Sequence, residues 1–159
     1  MSVGGVPGGL ELKIPPVAVV IVGAGLMGLG AWSVPALAFR FPGRLIIACG
    51  LALGGLMAAL VGVATFKRAR TTVNPMRPET SSSLVTWGIY RLTRNPMYLG
   101  FLLVLLGWAA YLSNALAFAV IPGFILYMNR FQIRPEERAL ANRFGPDFAA
   151  YKTRVRPWI

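Results

Sequence analysis

Residues 95–129, NPMYLGFLLVLLGWAAYLSNALAFAVIPGFILYMN, carry no charged side chain over 35 consecutive positions. This run is too long for a single membrane-spanning helix, which needs about 20 apolar residues. Ser113 and Asn114, near its middle, are residues typical of a tight turn. The stretch therefore predicts a helical hairpin, Met97–Leu112 followed by Ala115–Asn129. Its arms would each reach about 24 Å, less than the thickness of a bilayer core.

Two further charge-free runs precede the hairpin, residues 17–39 and residues 45–66, and each is long enough to cross a bilayer. Hydrophobic residues make up 56% of the 159-residue chain and charged residues only 13%, against about 25% charged in soluble domains. The mean hydropathy is +0.62. We therefore predict an all-α, polytopic integral membrane protein. It has about four transmembrane helices, including the short helical hairpin, and a C-terminal cytoplasmic helical segment.

The runs define a single membrane domain over residues 1–159. Two N-terminal spans occupy residues 17–66, and a cytoplasmic loop follows at residues 67–96. The helical hairpin covers residues 97–129, and cytoplasmic helices fill residues 130–159. Glycine-rich faces on the spans fit both internal packing and dimers, so the sequence leaves an oligomer possible.

The basic residues predict the orientation. The chain has 16 Lys and Arg against 5 Asp and Glu, a net charge of +11. In a soluble protein this excess would indicate nucleic-acid binding, but in so apolar a chain it indicates a cytoplasmic membrane face. All basic residues except Arg40 and Arg44 fall on one side of the predicted spans. We expect both termini in the cytoplasm, in the inner membrane of a bacterium or archaeon, and no nucleic-acid partner.

A second interpretation concerns the N-terminus. Lys13, the apolar run after it and Ala36-Leu37-Ala38 imitate a secretory signal peptide with its cleavage site. The apolar stretch is longer than such peptides usually have, and Pro35 also fits a kinked span. We therefore expect this segment to be a retained first span.

The residue types that are missing exclude several chemistries. The chain has no histidine and a single cysteine, so it cannot form an imidazole–thiolate couple, an internal disulfide or a thiolate cluster. We expect no metal site. Polar residues concentrate instead near the predicted start of the hairpin and in the C-terminal segment.

Arg91 and Arg94, three residues apart, are predicted to share a helical face just outside the bilayer. Gly100, one turn into the span, would permit close approach by a backbone or a ligand. Glu136 and Glu137 fall in the first turn of a predicted helix that returns to the same membrane face. A pocket there would hold carboxylates and a guanidinium beside an apolar slot.

Several linked motifs occupy residues 71–157. They are Leu84-Val85-Thr86-x-Gly88-x-Tyr90, Arg94-Asn95-Pro96-Met97-Tyr98-x-Gly100, Glu136-Glu137-x-x-Leu140, Phe144-Gly145-x-x-Phe148-x-x-Tyr151 and Arg154-Val155. In order and spacing they resemble the isoprenylcysteine carboxyl methyltransferase and phospholipid methyltransferase superfamily of integral membrane enzymes.

The resemblance implies S-adenosylmethionine as methyl donor, bound at the cytoplasmic membrane face in a site that the C-terminal helices complete. It implies a lipophilic or small acceptor (an isoprenylcysteine carboxylate, a phospholipid amine or a thiol), with membrane lipids as further partners. Asn95 stands where prenylcysteine methyltransferases usually have histidine. By resemblance the catalytic residues would be Arg94, Glu136 and Arg154. The cofactor-binding residues would be Tyr90, Arg94, Asn95, Pro96, Tyr98, Leu99, Gly100, Glu136 and Glu137.

Two other functions fit the same features. Sterol reductases resemble the C-terminal architecture and bind NADPH, whose phosphate an arginine cluster would suit, although they usually have more than four spans. A non-catalytic lipid-binding membrane protein is the other alternative. Binding of S-adenosylhomocysteine but not of NADPH would distinguish the three functions.

Overall fold

The computed structural model describes residues 11–71 and 78–159. The fold is all-α, which confirms the predicted fold class. The described residues form five α-helices. They are α1 (Pro16–Ser33), α2 (Arg44–Arg68), α3 (Pro96–Leu112), α4 (Ala115–Met128) and α5 (Arg134–Arg154).

The apolar helices expose large hydrophobic side chains, as helices surrounded by lipid do. Trp32 of α1 and Ile46 of α2 are 81% and 79% exposed. Within the described residues, α1, α2 and the continuous helical stretch Ala115–Arg154 are long and apolar enough to cross a membrane. The apolar part of that stretch is α4, and α3 is an apolar but shorter helix. The chain is thus a polytopic membrane protein.

The first helix is shorter than its charge-free run. The run extends to Phe39, but α1 ends at Ser33 and residues Pro35–Leu37 form a short 3₁₀ turn. The cause is Pro35, which has no backbone N–H and disfavours helical geometry at Val34. The chain then crosses over the hairpin tip, where the Phe39 amide donates to the Ser113 carbonyl at 2.8 Å.

The hairpin confirms the prediction to within one residue at each arm. Ser113 adopts the left-handed conformation that ends α3. The Asn114 side chain accepts from the Leu116 amide at 3.0 Å and so caps the start of α4. Its amide nitrogen also donates to the Val34 carbonyl at 3.0 Å, which ties the hairpin tip to the end of α1.

Helices α2 and α3 pack backbone against backbone. A Cβ atom added at Gly55 would lie 2.5 Å from the Gly100 carbonyl oxygen, and one at Gly107 would lie 2.7 Å from the Ala48 carbonyl. No side chain fits at these positions, so the glycines are required for the close approach. This packing sets the position of the first turn of α3, which enters the site described below.

A π-helical segment, Asn129–Ile133, joins α4 to α5. Since α5 has eight charged side chains among 21 residues, we place it outside the bilayer core. Gly145, with φ of +49°, breaks the helical geometry inside α5, as the predicted Gly145-Pro146 stop requires. Near the N-terminus, the Glu11 carboxylate binds Arg130 at 2.6 Å and also binds Arg138.

Candidate functional site

A cavity of about 630 Å³, measured with its opening to solvent, lies where the polar end of α3 meets α5. This size is in the range of small-molecule sites. The end of α2, the connection before α3, the first turn of α3 and one side of α5 contribute to its wall. The lining residues are Phe66, Pro78, Ser81, Ser83, Leu84, Val85, Tyr90, Arg94, Met97, Glu136, Glu137, Leu140, Phe148 and Tyr151.

Arg94 joins α3 to both ends of the C-terminal segment. Its Nε donates to Glu137 Oε1 at 3.0 Å and its Nη2 lies 2.5 Å from the same oxygen. Its Nη1 donates to the backbone carbonyls of Val155 and Lys152. The side chain is only 9% exposed, so water competes little for these charge-assisted bonds. Most of the guanidinium N–H groups are therefore used within the protein.

Glu137 has a second cationic partner. Lys152 Nζ lies 2.8 Å from Glu137 Oε2, on the more exposed side of the cluster. The two oxygens of Glu137 thus each have a positive neighbour, one buried and one at the rim. Glu137 is an ion-paired residue in the cavity wall.

Glu136, the adjacent carboxylate, has a different environment. Its Oε2 accepts a hydrogen bond from the Tyr98 hydroxyl at 3.1 Å, and in the described residues it has no cationic partner. Burial raises the pKa of Glu136 to about 7, the nearby Glu137 charge raises it further, and the Tyr98 hydrogen bond opposes the rise. The cavity therefore has one carboxylate free to meet a ligand's positive charge.

Tyr90 contributes an unsatisfied polar atom to the cavity wall. The residue is 3% exposed, and its hydroxyl has no hydrogen-bond partner. Its ring packs edge-on against Phe66 at 4.9 Å between ring centres, and its carbonyl accepts from the Tyr151 hydroxyl at 2.6 Å. Burial raises the pKa of Tyr90 well above 10. A buried neutral hydroxyl without a partner is costly unless a ligand or water satisfies it.

The structure brings Tyr90, Arg94, Glu136 and Glu137 of the predicted set into the cavity wall. Tyr98 lies just behind the wall, where it holds Glu136. The rest of the set is placed elsewhere.

Four predicted residues have packing or backbone contacts instead. The Asn95 side chain donates to the Pro157 carbonyl at 2.9 Å. Pro96 packs against Gly62, and Gly100 meets the α2 backbone at Gly55, so its close neighbour is a helix. Leu99 is partly buried in α3, and none of the four lines the cavity.

Arg154 lies in a separate cleft with Arg91, Thr86, Tyr151 and Val155. Only Tyr151 lines both spaces, because α5 turns its Arg154 side away from Glu136. The expected common helical face of Arg91 and Arg94 is wrong. The 3₁₀ helix Gly88–Arg91 ends between them, which leaves Arg91 exposed while Arg94 turns inward.

Sequence reasoning missed several wall residues. Ser81 and Ser83 come from a serine-rich connection with no helical period, so nothing in the sequence places them at the cavity. Phe148 and Tyr151 were recognised only as an apolar stripe, three residues apart, on the second part of α5. Their spacing from Glu136 is the signal that could have put them in the same wall.

The comparisons agree with this architecture. The family model for phospholipid methyltransferases matches residues 43–147, and the chain belongs to this family. A protein from Haemophilus influenzae with no described function is 46% identical over 63 residues, which is 40% of this chain and all of that protein.

Two larger relatives have printed activities. The protein-S-isoprenylcysteine O-methyltransferase of Saccharomyces cerevisiae is 27% identical over 113 residues, 69% of this chain and 46% of that enzyme. A probable protein-S-isoprenylcysteine O-methyltransferase of Oryza sativa subsp. japonica is 33% identical over 111 residues, 64% of this chain and 56% of the relative. The chain thus spans about half the length of these methyltransferases. No solved structure matches it.

Proposed function

We propose that this protein transfers a methyl group from S-adenosylmethionine to a lipophilic or small acceptor at the cytoplasmic membrane face. The cavity is the observation that carries the proposal. In it, the carboxylate of Glu136 and the unpartnered hydroxyl of Tyr90 face walls formed mainly by apolar and aromatic side chains. Membership of the phospholipid methyltransferase family supports the same chemistry.

The residues present fit the donor. S-adenosylmethionine carries a sulfonium and an ammonium, a polar ribose and a flat adenine, and it supplies an electrophilic methyl group when bound. Glu136 offers the negative charge for a cationic group or an acceptor for ribose hydroxyls. Tyr90 offers a hydroxyl that has no protein partner. The rings of Phe66 and Phe148 offer flat apolar surface beside them.

Methyl transfer from a sulfonium is an in-line displacement, so positioning and electrostatics can supply most of the catalysis. We assign the tie between α3 and the C-terminal segment to Arg94 and Glu137. Arg94 is engaged by Glu137 and two backbone carbonyls, which favours a positioning role over direct contact with the donor carboxylate. Glu136 and Tyr90 are then the groups that contact the ligand.

The acceptor would approach along the apolar side of the cavity, where Leu84, Met97 and Leu140 line the wall. A lipophilic acceptor fits this side because the site adjoins helices that lie in lipid. The candidates are an isoprenylcysteine carboxylate, a phospholipid amine and a thiol. We place both termini in the cytoplasm, since 14 of the 16 basic residues then lie on that side.

The experiment is a labelled-methyl assay with the purified 159-residue chain in detergent, run over the three acceptor classes, together with thermal unfolding in the presence of S-adenosylhomocysteine or NADPH. We expect labelled product with at least one acceptor class and stabilisation by S-adenosylhomocysteine alone. Stabilisation by NADPH alone would instead identify a reductase. No transfer and no stabilisation by either compound would leave the lipid-binding alternative and overturn the proposal.

Two tyrosine variants locate the site. Tyr90→Phe removes the unpartnered hydroxyl from the cavity wall and keeps the ring. Tyr127→Phe is a matched control, because the Tyr127 hydroxyl is also buried and unpartnered but does not line the cavity. We expect weaker stabilisation by S-adenosylhomocysteine in the first variant and unchanged stabilisation in the second.

A further inference from the structure

The cleft that contains Arg91 and Arg154 has no role in the proposed reaction. It is separate from the donor cavity and has a volume of about 500 Å³ with its opening to solvent. Its wall consists of Thr86, Arg91, Tyr151, Arg154 and Val155, and so includes two cationic side chains and a hydroxyl but no carboxylate.

Neither arginine is neutralised within the described part of the chain. Arg91 is exposed and forms no ion pair, and Arg154 donates only its Nε, to the Ala150 carbonyl at 3.2 Å. By contrast, Arg94, Arg130 and Arg138 each bind a carboxylate. Two guanidinium groups that share a cleft without a counter-charge form a site for an anion with several oxygens, such as a phosphate.

The surroundings of the cleft are those of a membrane surface. Arg91 lies five residues before the start of α3. On either side of it the side chains of Trp87 and Leu92 are 45% and 74% exposed. Tryptophan is enriched at the headgroup level of bilayers, where its apolar ring meets lipid and its polar edge meets water. An anion bound by Arg91 would therefore have apolar protein surface beside it.

We propose that this cleft binds the phosphate of an anionic membrane phospholipid, with Arg91 and Arg154 on the phosphate and Trp87 and Leu92 against the lipid chains. Charge complementarity and the adjacent exposed apolar side chains together favour a lipid over a free anion. The bound lipid lies beside the donor cavity, since Tyr151 lines both spaces. The proposal does not depend on methyl transfer, because binding can be measured without a methyl donor.

The test is native mass spectrometry of the purified chain from mixed micelles holding equal amounts of phosphatidylglycerol and phosphatidylcholine. We expect phosphatidylglycerol adducts to be favoured by about fivefold for each arginine at the surface. The double variant R91Q/R154Q is expected to lose this preference, and R91K/R154K to keep part of it. Arg143→Gln is the control, because Arg143 is also exposed and lies on α5 outside the cleft.

Three results would overturn the proposal. In the first, R91Q/R154Q keeps the wild-type preference for phosphatidylglycerol. In the second, Arg143→Gln lowers the preference equally, which would indicate general surface charge. In the third, millimolar inorganic phosphate abolishes the adducts while Trp87→Ser leaves them unchanged, which would indicate a free-anion site. Loss of adducts in Trp87→Ser, with resistance to inorganic phosphate, supports the lipid.

Discussion

The α2–α3 interface and the junction between Arg94 and the C-terminal segment are both close contacts, but their chemistry differs. In the first, glycines bring backbones together and no charge takes part. In the second, a buried guanidinium holds one carboxylate and two carbonyls. Lipid gives apolar side chains no reason to prefer each other, so helices in the bilayer associate through close van der Waals packing of small residues. Outside the bilayer core, buried charges can align a site.

The difference assigns two jobs to two regions. The glycine contacts fix the height of α3 relative to α2, and so place the first turn of α3 at the cavity. The charged junction then brings α5 and its two carboxylates against that turn. Substitutions in the two regions should therefore fail in different ways, and four predictions compare them from the largest effect to the smallest.

Arg94→Ala should have the largest effect. It removes the buried partner of Glu137 and the donor to two carbonyls, and breaking a buried ion pair costs about 3–5 kcal/mol. We expect the lower end of this range, because Lys152 still pairs with Glu137. The free energy of unfolding in detergent, followed by circular dichroism, measures the loss. Arg143→Ala is the control, and an equal loss there would contradict the account.

Gly100→Ala should come next. The new Cβ would collide with the Gly55 carbonyl and Ala59 of α2. Overpacking of this kind costs about 1–3 kcal/mol. The matched control is Gly123→Ala in α4, where an added Cβ meets nothing within 4 Å. Both variants are compared by thermal unfolding; equal stability of the two would refute the close backbone packing.

The affinity for S-adenosylmethionine should depend on pH through Glu136. The carboxylate has a raised pKa of about 7, so it is mostly neutral below that pH and ionised above it. Since the ionised form attracts the positive donor, affinity should rise with pH across this range, by at most about tenfold per unit. Calorimetric titration measures it. The Glu136→Gln variant should lose the slope, and an unchanged slope would show that another group titrates.

Lys152→Met should have the smallest effect. Lys152 pairs with the same carboxylate as Arg94, but its side chain is 43% exposed. Exposed pairs contribute about 0–1 kcal/mol because water and salt screen them. We therefore expect a loss below about 1 kcal/mol, measured as for Arg94→Ala. A loss as large as that of Arg94→Ala would mean that burial does not separate the two partners.

The membrane-spanning architecture could be predicted from the sequence because lipid imposes a simple rule. A span must be long and free of charge, and residues 45–66 and 95–129 obey this directly. The hairpin turn at Ser113 and Asn114 was recognisable for the same reason. The early end of α1 was not predicted, since the charge-free run continues past Pro35 and hides its effect.

The site was only partly predictable. The motifs located Tyr90, Arg94, Glu136 and Glu137, and the structure brings these into one cavity wall. The division of labour between the two adjacent carboxylates could not be read from spacing, because it depends on contacts with Tyr98, Arg94 and Lys152 from distant parts of the chain.

The neighbours of Arg94 illustrate the same limit. Asn95, Pro96, Leu99 and Gly100 share its motif, but the helical turn at the start of α3 points them to other surroundings. Pro96 and Gly100 meet α2, and Asn95 holds the tail at Pro157. Arg154 follows the C-terminal motif, yet the geometry of α5 places it in the other cleft. A motif records which residues occur together and leaves open which of them share a cavity.

The affinity for S-adenosylmethionine in wild-type, Tyr90→Phe and Tyr127→Phe chains tests the central claim most directly. Each variant removes one buried hydroxyl that has no partner, and only the Tyr90 hydroxyl lines the cavity. Loss of one neutral hydrogen bond corresponds to a drop of about two- to tenfold. We predict this drop for Tyr90→Phe and wild-type affinity for Tyr127→Phe. Equal affinity in all three chains, or no measurable binding to the wild type, would contradict the account.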